Sequence, residues 1–393
     1  MDPPIPFEEA LNRLISGAKT LSVQSHPAMN STGRYSAESV AAKLNHPPFD
    51  NSQVDGYALA FNGEILEFNL VGKVFAGKSL SGRLKPGKAA RIFTGAPIPH
   101  GADAVVMQEF ATLENEVVRI GSIPKSGDFI RRLGEDFKVG DEILAEGTRV
   151  GPTQLGLLSL AGITSLLIRR QPQITILVTG SEIVRPGEMP KEGQLPDAVG
   201  PMLLNLLIQM NLSSDVHYIH DDEQDLRLQL NGMVKNDLVI ISGGASVGEK
   251  DLVRQMLLDL GFTSIFWGVA MRPGMPTGVY QHNTGAIAIS LAGNPVSAFV
   301  GFSMFIKPLI KFWAGLSPRI PFERAICGSD LTKQPGYAQF YRAKRNVDGE
   351  VFPFQFQGSH RMKDLANANC LLYFPRESAE IKAGQQVEVL AIN

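Results

Sequence analysis

The stretch from Asp237 to Asp251, Asp-Leu-Val-Ile-Ile-Ser-Gly-Gly-Ala-Ser-Val-Gly-Glu-Lys-Asp, constrains the fold of this chain more than any other. Leu238 to Ile241 is a short, mostly β-branched apolar run suited to a strand buried on both faces, and the glycine-rich Ser242 to Gly248 cannot continue it. A helix should follow, because Leu252, Met256 and Leu258 to Leu260 put apolar side chains on one face and Asp251 stands at its start, where the macrodipole favours acids. Strand, glycine loop and helix N-terminus together present backbone N–H groups, an arrangement that holds phosphates and other oxyanions. Gly243 and Gly248 have Walker A spacing, but Glu249-Lys250-Asp251 places no lysine and hydroxyl pair for a triphosphate and Mg²⁺. Gly244-Ala-Ser246-Val-Gly248 formally matches a nucleophile elbow, although Ser246 stands several residues past the strand. A tight turn whose glycines only permit positive φ is the plain alternative.

Strand and helix alternate on both sides of this stretch. Ile174 to Val178, Val216 to Ile219 and Ile287 to Leu291 read as further strands; Met202 to Ile208, the segment through Leu226, Leu230 and Val234, and Pro295 to Trp313 read as helices. Such alternation implies a parallel sheet with helices on both faces, whose ligand loops gather at the carboxyl ends of the strands. Four loops should therefore converge: Thr179-Gly-Ser-Glu182, His220-Asp221-Asp222, Ser242 to Asp251, and Ala292-Gly-Asn-Pro-Val-Ser297. Glu182, Asp221 and Asp251 supply carboxylates suited to a hard cation such as Mg²⁺. The backbone near Gly243-Gly244 and at the start of the Pro295 helix supplies anion sites. Asp222 divides evenly between ligand and solvated helix-start acid, whereas Asp251 favours ligand.

The rest of the chain has other rhythms. Leu11, Leu14, Ile15 and Ala18 predict a helix from Phe7 to about Val23, and Ser36 reads as the cap of a second one carrying Val40, Ala41 and Leu44. Asp50-Asn51 and Asp55-Gly56 read either as turns or as parts of a binding loop between Phe49 and Tyr57. Short strands between glycine turns fill Phe61 to Val150, and Pro152 to Ala161 reads as a returning helix. After Pro318 short strands return, predicting a small β-barrel, with Tyr341, Arg342, Lys344 and Arg345 as its one basic cluster and an anion-binding surface.

Composition narrows the function classes. A chain of 393 residues suggests about two to four domains. The formal net charge of −2 gives no basic field for nucleic acid or anionic membrane. Two cysteines, Cys327 and Cys370, exclude a disulfide framework and fit a reducing compartment. The start is proline-rich and acidic, unlike a signal peptide, and no stretch approaches the length of a transmembrane helix, so the cytoplasm is expected.

Taken together, Pro48-Phe-Asp-Asn-Ser-Gln-Val-Asp-Gly-Tyr-Ala58, Thr94-Gly-Ala-Pro97 with Gly101-Ala-Asp-Ala-Val-Val-Met107, Ser242 to Asp251, Met271-Arg-Pro-Gly-Met-Pro276 and Gly293-Asn-Pro-Val-Ser-Ala298 resemble, in order and spacing, the motifs of the molybdopterin molybdenumtransferases. These molybdenum insertases include the E domain of gephyrin. The resemblance implies a multidomain α/β plus β subunit: a helical segment (1–47 and 140–170), a β-rich insert (48–139), a three-layer α/β molybdopterin-binding domain (171–317) and a C-terminal β-barrel (318–393). It also implies a homodimer with the active site between subunits. The implied reaction uses small-molecule substrates: adenylylated molybdopterin and molybdate, with Mg²⁺, give molybdenum cofactor and AMP. By the same resemblance Asp55, Thr94, Glu182, Asp221 and Asp251 form the catalytic set, with Glu182, Asp221 and Asp251 on the metal. Gly243, Gly244, Ser246, Arg272, Asn294, Pro295 and Ser297 bind ligand, and Arg342 and Ser359 lie on the molybdate side. Many relatives carry lysines where this chain has Gly268, Arg272 and Met275. Those losses motivate an alternative, a degenerate paralogue that binds the adenylylated pterin or scaffolds cofactor enzymes without inserting metal.

Overall fold

Around Leu238–Ser242 the chain builds a six-stranded sheet in the order Ser214–Ile219, Ile174–Thr179, Leu238–Ser242, Ile287–Leu291, Gly278–His282, Phe262–Trp267. The computed structural model describes residues 3–219, 223–243 and 252–392. The first four strands run parallel and in register. Gly278–His282 runs against both its neighbours, so that Phe262–Trp267 beyond it again follows the direction of the first four, which corrects the wholly parallel expectation. Only residues 283–286 join His282 to Ile287, too few for the crossover that a parallel pair needs.

Two-sided burial holds this sheet, and strand alternation divides its side chains between two cores. Ile174, Ile176, Val178, Leu238 and Ile240 enter one core with the helix Val199–Gln209 and the apolar Pro295–Trp313. Leu177, Val239 and Ile241 enter the other with Glu223–Met233 and Leu252–Asp259. Pro295–Trp313 spans 19 residues at a mean hydropathy of 1.3, so the expectation that no stretch reaches membrane-spanning length was wrong. Its apolarity has another cause: Val296, Phe299, Phe302, Phe305 and Leu309 are buried in the core all round the helix.

A closed barrel follows. Ala338–Arg345 pairs with both Glu350–Pro353 and Cys370–Phe374, and Glu323–Cys327 and Gln386–Ala391 complete the ring around Cys327, Ala343, Val351, Leu372 and Phe374. The strand Met271–Arg272 adds to its edge at Ala338–Gln339. The N-terminal helix is shorter than the periodicity suggested, Phe7–Gly17, and Phe7 meets the Phe340 and Tyr373 rings edge-on at 5.5 and 5.7 Å. These parts form one compact unit, Met1–Gln24 with Arg169–Asn393.

The second unit is Ser25–Ile168. Its main sheet has the order Ala104–Met107, Gly56–Leu59, Lys88–Ile92, Glu67–Val74, Val117–Ile120, Ala111–Glu114. The expected helix capped by Ser36 does not form. Val40–Ala41 is a short strand paired with Glu142–Leu144, and the Ser36 hydroxyl donates to the Glu38 carbonyl. Cross-strand pairing outweighs a helical pattern of only three apolar positions. Gly56 is no turn either: it opens a strand and pairs with both Ile92 and Met107. A Cβ there would lie 1.9 Å from the Val106 carbonyl oxygen, so no other residue fits without parting two strands. Gly56→Ala is expected to cost this unit about 3 kcal/mol, read as a lowered denaturation midpoint; an unchanged midpoint would show that the close approach does not matter.

Candidate functional site

The parallel strands end level, because Thr179 pairs with Ile219, Val178 with Ser242, and Ser242 with Leu291. Their following loops therefore start from one edge. Three backbone and side-chain bonds knit that edge: Gly180 N–H donates to the Ile219 carbonyl at 3.3 Å, Gly243 N–H to the Leu291 carbonyl at 3.3 Å, and the Thr179 hydroxyl to the Ser242 carbonyl at 3.4 Å. Gly243 turns the chain with φ 96°, and a Cβ on it would lie 2.4 Å from the Thr179 carbonyl oxygen. Glu182 is exposed and folds its carboxylate back over Gly180, whose added Cβ would lie 2.8 Å from Oε2.

The other side of this edge is the start of the Pro295 helix. Gly293 lies against Gly243, Asn294 occupies the N-cap position with its side chain free of any capping bond, and Ser297 is buried with its carbonyl facing Gly274. The Val296 N–H donates to the Ser359 carbonyl at 3.3 Å, joining this helix start to the loop that follows the barrel strand Glu350–Pro353. Glu182, Gly243, Asn294, Pro295, Ser297 and Ser359 thus belong to one unit and, apart from Glu182, are tied by direct neighbours. Asp221, Asp251, Gly244 and Ser246 lie outside the described residues. Among the described residues no three His, Cys, Asp or Glu side chains group as metal ligands, and Glu182 is the one described member of the expected metal set.

Arg342 is fully buried. Its backbone N–H donates to Gln357 Oε1 at 3.0 Å and its Nη2 to the Phe356 carbonyl at 3.0 Å, while Nε and Nη1 have no hydrogen-bond partner among the described residues. Burial pushes the guanidinium pKa down; Asp364 opposes that shift and Arg361 adds to it. Leaving two donors of a buried cation unpaired is costly, so the position is fit for an anion that brings acceptors. The expected basic cluster does not share one surface: Lys344 is exposed, whereas Arg342 is buried. Strand alternation separates Arg345 from Arg342, and Arg345 spends its guanidinium on Glu323 at 2.7 Å and the Arg324 carbonyl at 3.2 Å.

Arg272 is exposed and stacks over Tyr337, with its guanidinium carbon 4.4 Å from the ring centroid. Gly268, another of the departures from lysine, has φ 83° and is buried, with Pro4 3.8 Å from where a Cβ would stand. A lysine at 268 would be strained in this backbone, whereas Met275 is half-buried without that constraint.

In the Ser25–Ile168 unit, Asp55 and Thr94 come together. The Thr94 N–H and hydroxyl both donate to Asp55 Oδ1 at 2.8 Å. These two bonds, with a smaller contribution from the Arg91 charge, hold the Asp55 carboxyl below its ordinary range. Sequence reading missed Arg91, which donates to the Gly56 carbonyl at 3.2 Å and to the Gln108 side chain. No local signal marks it, since its role comes from pairing opposite Tyr57. It also missed Asp197, a buried carboxylate that accepts from the Val199 and Gly200 N–H groups and from the Tyr218 hydroxyl at 2.9 Å. Burial first, and then Asp197, push the Tyr218 hydroxyl up to about 12. An acid just ahead of the apolar helix Val199–Gln209 was the available signal.

Thr94→Ala keeps the backbone donor but loses the hydroxyl, so the Asp55 midpoint is expected to rise part of the way toward its ordinary value in a carboxyl-carbon NMR titration. A depressed carboxylate stabilises the fold above its unfolded pKa and loses that contribution as pH falls through the folded value. The stability gap between Thr94→Ala and the parent should accordingly be present at neutral pH and close in acid. An unmoved midpoint would assign the shift elsewhere.

Comparison with known proteins fits this architecture. Residues 5–162 match the MoeA N-terminal region (domain I and II), 175–311 a probable molybdopterin binding domain, and 324–392 the MoeA C-terminal region (domain IV). A curated molybdopterin molybdenumtransferase from Haemophilus influenzae is 34% identical over 371 residues, covering 92% of this chain and 91% of its own length. Another from Bacillus subtilis is 31% identical over 99% of this chain and 94% of its own. A solved molybdopterin biosynthesis MoeA protein from Pyrococcus horikosii superimposes with a TM-score of 0.85 at 28% identity, covering 99% of each chain. With its three successive regions matched and the likeness running nearly end to end, this chain belongs to the molybdopterin molybdenumtransferase family.

Proposed function

We propose that this protein is a molybdopterin molybdenumtransferase of molybdenum cofactor biosynthesis, which takes adenylylated molybdopterin and molybdate and releases molybdenum cofactor and AMP. The observation that carries the reading is Arg342, a fully buried guanidinium with Nε and Nη1 unpaired. A tetrahedral oxyanion offers the acceptors it lacks, and a planar fork suits two oxygens at once. Ser359 and Ser297 add a loop and a helix start to the same neighbourhood through the Val296 to Ser359 bond. The Gly243 turn brings backbone close to Thr179 and Gly293, which suits a phosphate.

The chemistry asks two things of these residues. The dithiolene sulfurs must take up the metal while the phosphoanhydride is hydrolysed, so the oxyanion and the phosphates have to be held as neighbours. Arg342, Ser297 and Ser359 are assigned to the oxyanion, and the Gly243 loop to the phosphates. In the other unit Thr94 fixes the orientation of the Asp55 carboxylate, and the same two bonds keep it charged further into acid than an ordinary aspartate. The exposed Glu182 carboxylate, unpartnered among the described residues, is a hard oxygen donor that fits Mg²⁺. With Asp221 and Asp251 it would hold that ion, which supplies charge neutralisation at the phosphates. We further propose a cytoplasmic homodimer whose neighbouring copy completes the site.

Purified protein given adenylylated molybdopterin, molybdate and Mg²⁺ should release AMP and reconstitute a cofactor-free molybdoenzyme. Pterin-nucleotide binding without AMP release would instead favour the degenerate paralogue, and Met275→Lys, the departure that the backbone tolerates, should then restore turnover. Arg342→Met makes a sharper test. Removing a buried cation with unpaired donors is expected to raise stability by about 1–2 kcal/mol, while AMP release falls at least about tenfold. A variant that is destabilised yet fully active would make Arg342 a structural residue and remove the main support for this reading.

A further inference from the structure

Next to Asp55 the Ser25–Ile168 unit carries a row of flat groups that the Asp55–Thr94 pair leaves unused. Gly56–Leu59, Lys88–Ile92 and Glu67–Val74 are adjacent strands, and Tyr57 stands opposite Arg91. Phe93 and Phe75 follow the ends of the second and third strands, where the Phe93 N–H donates to the Val74 carbonyl at 3.3 Å. The Arg91 guanidinium carbon lies 5.0 Å from the Tyr57 ring centroid and 5.1 Å from that of Phe93. Phe93 and Phe75 then stack at 4.7 Å with only 9° between their planes. Arg91 is held in place by its bonds to the Gly56 carbonyl and the Gln108 side chain, so the row is built rather than accidental.

The row ends in an open ring. Phe75 is 49% exposed although one of its faces lies on Phe93. A single exposed apolar residue is ordinary, but a parallel pair backed by a fixed cation and ending in an uncovered face is the shape of a stacking platform. Heteroaromatic rings stack on such platforms with little regard to their hydrogen-bonding pattern.

We propose that Phe75, backed by Phe93 and Arg91, seats a planar heteroaromatic ring, the chemistry shared by the adenine and pterin parts of the substrate. The identity of that ligand rests on the functional reading above; the seat itself is tested by binding alone. Parent, Phe75→Ala and Phe75→Trp proteins are titrated calorimetrically with AMP, with 6-hydroxymethylpterin and with ribose 5-phosphate, which lacks the ring. Phe75→Ala is expected to weaken AMP or the pterin about tenfold, Phe75→Trp to restore it, and ribose 5-phosphate to bind all three proteins alike. A loss confined to AMP names adenine as the occupant, and a loss confined to the pterin names that ring. Equal binding of both ring probes to parent and Phe75→Ala, or no binding of either to the parent, overturns the proposal. Thermal unfolding of each variant checks that the exposed substitution leaves the fold intact. Because the titration needs neither molybdate nor turnover, the seat can stand where AMP release fails, and the reverse.

Discussion

The structure depends on the two-sided burial of three central strands, Ile174–Thr179, Leu238–Ser242 and Ile287–Leu291, in which every side chain is buried. Neighbouring apolar residues enter opposite cores, so a slip of one residue would exchange the two sets. That fixes the register, and the register makes the strands end level. The loops after Thr179, Ser242 and Leu291 meet at one edge because the core admits no other alignment. Placement of the ligand loops is thus a by-product of packing hydrocarbon.

Upon this frame the polar groups are arranged at some cost. Asp197 is nearly inaccessible but satisfied, accepting two helix N–H groups and a phenol. Arg342 is inaccessible and, among the described residues, unsatisfied at two of its nitrogens. The contrast separates a carboxylate that organises a helix start from a cation that serves no internal partner fully. Proteins rarely leave such donors bare, and the exceptions concentrate where a ligand supplies what the chain does not.

The Ser25–Ile168 unit solves a similar problem on an exposed site. Two bonds from one residue, Thr94, aim a single oxygen of Asp55, and the antiparallel pairing of Gly56–Leu59 with Lys88–Ile92 brings Thr94 there, while the missing side chain at Gly56 lets Val106 approach from the strand on the other side. One strand start thus serves two contacts: pairing with Lys88–Ile92 delivers the threonine to the acid, and the glycine admits Ala104–Met107 on the other side. Arg91 extends that order to the aromatic row, since its bond to the Gly56 carbonyl depends on the same pairing.

By itself the sequence determined the strand and helix alternation from Gln173 to Trp313, the β-rich stretch before it and the barrel after it, because side-chain period and glycine punctuation are local properties. It also determined which loops carry glycines and acids. Only the tertiary structure decided what depends on distant partners. The Ser36 segment became a strand because Glu142–Leu144 was there to pair with it, and Gly278–His282 turned antiparallel because its connection to Ile287–Leu291 is short. Of the basic residues of Ala338–Arg345, Arg342 became buried, Arg345 ion-paired and Lys344 exposed, because a strand alternates its faces and the barrel wall covers only part of it. A run of charges in sequence states how many cations exist; which of them is buried and which is ion-paired is set by the barrel wall and by Glu323, residues that no local pattern connects to Arg342.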